Sequence, residues 1–202
     1  SNPSLFERSG SDLEMAQHAL QSGLAGILLK NHFESTVGRA ALASEVTPGV
    51  GVFGSLVLNR FAGGLNPVAV EHALKLGAKQ LYMPALDALA HVKAHGQAGG
   101  AGWQSSGTRV AREAVTVLDD RGNLLPQAKQ IVELVRDAGA ILGTAHLGVD
   151  EIMPLARFCS QTGFERLLIT HPYFDPPMLA LDAQNELTLS LIHISEPTRP
   201  RL

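Results

Sequence analysis

Two apolar runs, each closed by a histidine, carry the fold: Ala140-Ile141-Leu142-Gly143-Thr144-Ala145-His146 and Leu167-Leu168-Ile169-Thr170-His171-Pro172. A helix-length stretch, roughly Asp150 to Thr162, separates them. Short apolar runs alternating with helical patterns read as βαβ units of a parallel sheet. In such sheets the C-terminal strand ends gather the loops around one crevice, and ligands bind there. Two imidazoles delivered to that crevice by neighbouring strands can share one divalent ion.

The same rhythm extends outward from these units. Ser11-Asp12-Leu13-Glu14 fits a capping box and opens a helix to about Gln21, with Leu13, Ala16 and Leu20 expected on its buried face. Gly26 to Lys30 reads as a strand, Thr36 to Val46 as a helix and Val50 to Leu58 as the next strand. Asn66-Pro67 supplies an N-cap and a first-turn proline for a helix that closes near Gly77. Lys79 to Met83 is a third strand, and Pro126 opens a helix to about Asp137. Between them, Ala85 to Val115 breaks the rhythm with a long segment holding Asp87, His91, His95 and the Gly99-Gly100-Ala101-Gly102-Trp103 run. Loops of that length are usually functional covers or disordered. Val115 to Leu125 reads as a small hairpin. No G-x-G-x-x-G phosphate fingerprint follows any strand, which argues against a nucleotide-binding open sheet. The pattern fits α/β architecture: an incomplete (β/α)8 barrel of the TIM type, lacking strand one and the last two strands.

Composition narrows the function. Formal net charge is -3 with no block of like charges, so nucleic acid and an acidic membrane surface are not expected partners. The lone Cys159 excludes an intrachain disulfide and favours a reducing cytoplasm; it reads as a buried small hydrophobe. The partners expected are a small-molecule substrate and, at most, further copies of this chain in a homo-oligomer. Eight histidines are the more informative count, because several fall at strand ends.

Lys30 and His32 follow the first visible strand, and Asn59-Arg60 follow the second. A lysine there can be carboxylated to bridge metals, form a Schiff base or hold a substrate anion. His32 faces the crevice if the chain stays extended, and Arg60 suits either a substrate carboxylate or phosphate or a surface salt bridge. His91 and His95 have i, i+4 spacing, which places both rings on one helix face as ligands, proton shuttles or lid residues. His18 and His72 lie mid-helix and read as outer-surface residues. Asp175 is a weak candidate for ligand or base.

The chain from Pro3 to about Gln184 resembles an uncharacterised family of amidohydrolase-like metal-dependent hydrolases. Leu29-Lys30-Asn31-His32-Phe33, Val57-Leu58-Asn59-Arg60 with Gly63-Gly64-Leu65-Asn66-Pro67, Met83-Pro84, Thr144-Ala145-His146-Leu147 and Ile169-Thr170-His171-Pro172 carry the resemblance. It implies a (β/α)8 barrel whose strand-five and strand-six histidines, here His146 and His171, hold one or two divalent metals, zinc being the expected ion. Lys30, His32 and Arg60 are then the catalytic candidates. The resemblance also implies a His-x-His pair upstream of Ser1 and an aspartate beyond Leu187, both outside this chain. A hydrolase acting on an amide, ester or phosphoester is expected of the parent, with the chemistry lost and the barrel destabilised in the fragment. Two other functions fit the residues: a Schiff-base aldolase or lyase through Lys30, and a non-enzymatic binding barrel.

The last stretch stands apart. Leu189-Ser190-Leu191-Ile192-His193-Ile194-Ser195-Glu196-Pro197-Thr198-Arg199-Pro200 resembles a translated transposase-type sequencing adaptor. The expected organisation is therefore a partial metallohydrolase-like domain over 1–188 and a non-native tail over 189–202 that makes no specific contacts.

Overall fold

The computed structural model describes residues 1–5, 8–96, 98, 113–190 and 194–195. The Gly99–Trp103 run and His193 lie outside the described residues. Helices and strands alternate: α1 (Asp12–Gln21), β1 (Gly26–Leu28), α2 (Val37–Val46), β2 (Gly51–Phe53), β3 (Ser55–Val57), α3 (Pro67–Lys75), β4 (Gln80–Tyr82), α4 (Leu89–His95), α5 (Pro126–Asp137), β5 (Ile141–Gly143), α6 (Val149–Gln161), β6 (Leu167–Ile169), α7 (Leu181–Ser190) and β7 (Ile194–Ser195). Every strand pairing is parallel: β1 with β2, then β3-β4-β5-β6-β7 in order. The fold is α/β with parallel sheets. Among the described residues β1 and β7 pair on one side only, so no closed ring of strands is formed.

Local chemistry accounts for most of these elements. The Ser11 hydroxyl accepts from the Glu14 amide, and the Glu14 carboxylate accepts from the Ser11 amide, completing the capping box. Asn66 accepts from the Val68 and Ala69 amides ahead of Pro67, so α3 starts where its chemistry requires. The expected Val50–Leu58 strand is broken at Gly54. A Cβ there would stand 2.4 Å from the Val37 Cα, so only glycine lets α2 approach the strand this closely. β2 and β3 consequently pair with different neighbours. The hairpin reduces to one antiparallel bridge, Leu118↔Leu124, around a turn held by Asp119.

Alternation along the strands separates two apolar layers. Leu56, Leu58, Leu81, Met83, Leu142, Leu167 and Ile169 pack outward against α3, α5, α6 and α7 in the main core. Val57, Tyr82, Ala85 and Ala145, with Leu28 from β1, form a smaller cluster on the opposite face. Leu28 thereby brings β1 to the inner face of the five-stranded sheet. A third cluster, mainly alanine and valine, seats α1 and α2 on β1 and β2.

Two expectations need correction. Leu13 and Leu20 do not form the buried face of α1; they are 45% and 40% exposed, and the helix packs through Ala16 and Ala19. The tail is not contact-free either. α7 runs through Thr188 to Ser190, and Ile194–Ser195 pair with Leu168 and Ile169 of β6. A strand edge presents unpaired amides and carbonyls to any extended segment, which suffices to recruit two residues.

Candidate functional site

The last pairs recorded between β5 and β6 include Gly143↔Leu168, and each histidine lies three residues further on. His146 and His171 therefore stand abreast at the C-terminal strand ends. Both strands finish in the left-handed region, Ala145 at φ 50° and His171 at φ 51°, which is costly for residues other than glycine. Two buried threonines satisfy the amides that this turn would otherwise leave without partners. The Thr170 hydroxyl accepts from the Ala145 amide at 3.2 Å, and the Thr144 hydroxyl accepts from the Thr170 amide at 3.1 Å. The sequence reading passed over these threonines, although a threonine does precede each histidine by one or two positions.

Three further imidazoles join this pair. His32 does not lie on an extended chain: Asn31 accepts from the Phe33 amide in a tight turn, and Asn59 donates to the His32 carbonyl at 3.0 Å. Its ring centre lies 6.4 Å from that of His146. His91 and His95 share α4 as their spacing predicts, with ring centres 4.4 Å apart. His91 reaches His146 directly, Nδ1 to Nδ1, at 3.0 Å. The His146 and His171 rings are 6.2 Å apart, with Phe174 near both. The His95 Nε2 is hydrogen-bonded to the Asp175 carbonyl, so the loop after β6 is tied to α4. His18 and His72 are exposed, away from the cluster, as expected of mid-helix positions.

Electrostatics holds the inner rings neutral. Burial, reinforced by Lys30, pushes His32 down to about 3. Burial and then His91 push His146 down to about 2, and burial with His95 takes His91 to about 4. At neutral pH these three present lone pairs rather than charge, the form in which imidazole binds metal. Lys30 lies with its ammonium 4.4 Å from the centre of the Tyr82 ring, on the inner face. Burial raises the Cys159 thiol to about 12, which removes it as a nucleophile.

Of the uses read for Arg60, the structure shows the ion pair. Its guanidinium donates to the Glu113 and Ala114 carbonyls at 2.9 and 3.1 Å and lies 3.6 Å from the Glu113 carboxylate. It braces Glu113 and Ala114 ahead of Val115. Its own amide donates to Asp87, which is fully buried with Oδ1 lacking a hydrogen-bond partner. Asn59 is the hub that sequence reasoning undervalued: its amide oxygen accepts from the Ala85 and Asp87 amides while its nitrogen holds His32. That role depends on loops meeting in space, which no local pattern encodes.

The donor chemistry suits a divalent ion, since neutral imidazole is a common ligand and the His146 and His171 ring centres lie 6.2 Å apart. The ligand set is incomplete: no three His, Cys, Asp or Glu side chains among the described residues are arranged to enclose a metal. No helix among the described residues is long and apolar enough to cross a membrane.

Comparison with known proteins adds family membership. No curated protein matches this chain. A solved structure described as "QR15, an Aldolase" aligns over 92% of this chain and 84% of its own at 17% identity, with a TM-score of 0.34. That similarity is too low to support any argument about fold or chemistry. A family model matches residues 1–195, a range that takes in part of the tail, and the chain accordingly belongs to the family of unknown function DUF6282.

Proposed function

We propose that this chain is the histidine-lined portion of a metal-dependent hydrolase of the amidohydrolase type, with a (β/α)8 barrel as the complete fold. The observation that carries the reading is the convergence of five imidazoles, from three separate stretches of loop and one short helix, on the C-terminal ends of parallel strands. His146 and His171 would hold a divalent ion, zinc being suited to imidazole donors. Such an ion supplies an activated water and polarises the scissile bond. Around it, Lys30 attracts an anionic group of the substrate, and His32, kept neutral by burial, orients the substrate as a hydrogen-bonding group. Phe174 offers an apolar wall beside both proposed ligands. Arg60 acts on the loop and not on the substrate. The site takes a small molecule, and its chemistry does not identify which amide, ester or phosphoester.

A second reading rests on Lys30, whose inward placement also suits Schiff-base chemistry of the aldolase type. The Tyr82 face stabilises the charged ammonium, whereas a Schiff base needs the free amine. Metal analysis separates the two. The full chain dialysed against zinc should retain the ion, and His146→Ala or His171→Asn should lose most of it. Wild-type protein that retains no zinc, yet is trapped by borohydride with a carbonyl compound, would replace the hydrolase with the lyase.

A further inference from the structure

The contact between His91 and His146 fixes more than proximity. Neutral imidazole has one N–H and one lone pair, so two Nδ1 atoms 3.0 Å apart must be of opposite kind. A histidine that binds a metal through one nitrogen donates the other N–H to a nearby acceptor. If His146 is a ligand through Nε2, its Nδ1–H is the donor and the His91 Nδ1 is the acceptor. His91 is then held as the Nε2–H tautomer. That nitrogen is buried and has no hydrogen-bond partner, in a ring only 7% exposed. A buried donor left unmatched is costly, and it becomes an asset where a ligand supplies the acceptor.

We infer that His91 is both the positioning partner of His146 and a hydrogen-bond donor, through Nε2–H, to an anionic oxygen of the substrate. This rests on the metal-hydrolase reading of His146. The ligand class is an oxyanion: a carboxylate, a phosphoryl group or the tetrahedral oxygen of a hydrolytic intermediate. His95, its ring tilted against His91 and bonded to the Asp175 carbonyl, stands beside this donor.

Nuclear magnetic resonance of the full chain labelled with 15N-histidine reads ring tautomers directly, and inorganic phosphate serves as the probe. With zinc present, His146 should carry its proton on Nδ1 and His91 on Nε2, and phosphate should shift the His91 Nε2 signal. His91→Asn keeps an acceptor near the Nδ1 position but lacks the distal donor. It should leave the His146 Nδ1–H signal hydrogen-bonded and weaken phosphate binding at least tenfold, whereas His91→Ala should weaken phosphate binding and also shift that signal by removing its acceptor. Phosphate binding equally to wild type and His91→Asn would overturn this inference alone, whereas reversed tautomers leave His146 no nitrogen for zinc and would overturn its role as a ligand as well. Zinc that leaves the His146 signals unmoved would overturn the metal reading and this inference with it.

Discussion

The two halves of the molecule bury apolar surface in different ways. From β3 to β6 the core is made of large side chains with no exposure, among them Leu58, Leu81, Met83, Ile131, Leu142, Ile152 and Leu155. The α1-β1-α2-β2 half packs through Ala16, Ala19, Ala40, Ala43, Val50 and Val52, and leaves Leu13, Leu20, Leu24, Leu42, Val46 and Phe53 at the surface. Small residues let helices approach closely but remove little area from water, and stabilisation scales with that area. The histidine cluster draws its scaffold mainly from the first kind of packing, with His32 alone supplied by the second. A rigid site and a lightly buried flank therefore share one chain.

Truncation inside the rigid half should have the largest effect. Ile131→Ala or Leu155→Ala is expected to cost about 2–5 kcal/mol, read as a fall in the denaturation midpoint of the full chain. Equal losses from Ala16→Gly and these variants would erase the contrast. Acid comes next. His32 and His146 sit well below the 6.5 of an unfolded histidine, so below that pH the unfolded chain binds protons that the folded chain refuses. Stability is complete above about pH 6.5 and falls as pH drops toward about 3, at roughly 1.4 kcal/mol per pH unit for each group at most. A flat stability profile between pH 7 and 5 would mean that these rings are hydrated. Removing the α1 cap by Ser11→Ala should cost about 1 kcal/mol in thermal or chemical unfolding. The smallest change is expected from Leu13→Gln, within about 0.5 kcal/mol, because its side chain already meets water. A larger loss there would mean that a partner or another copy covers this flank.

What the sequence made legible tracks how local each cause is. Caps at Ser11 and Asn66, the helix from Pro126 and the paired histidine-tipped strands depend on residues a few positions apart, and they stand where expected. The face of α1 was misread because periodicity alone marks Leu13 and Leu20 as core. Whether they are buried depends on how closely α2 and the strands approach, and alanine sets that approach. Within the site, His146 and His171 were singled out by their strand ends and His91 with His95 by their spacing. The hub role of Asn59 and the partners of Arg60 were not readable, since those partners lie 26 to 54 positions away. The metal was expected from the strand-end histidine pair and from the resemblance, and among the described residues no third His, Cys, Asp or Glu completes a ligand set.

His171 sits at φ 51°, and that single torsion governs what a substitution library at this position would report. Glycine, asparagine and aspartate occupy this part of backbone space most readily, while valine, isoleucine and threonine resist it. A ranking of variants by abundance would therefore sort them first by torsional tolerance and only then by what the side chain offers a ligand. Glutamine, the closer mimic of a distal ring nitrogen, would score below asparagine for reasons unrelated to chemistry. At position 146 the strained torsion belongs to Ala145, so the same library there would sort by chemistry directly. Two histidines that look equivalent by register would produce different mutational landscapes.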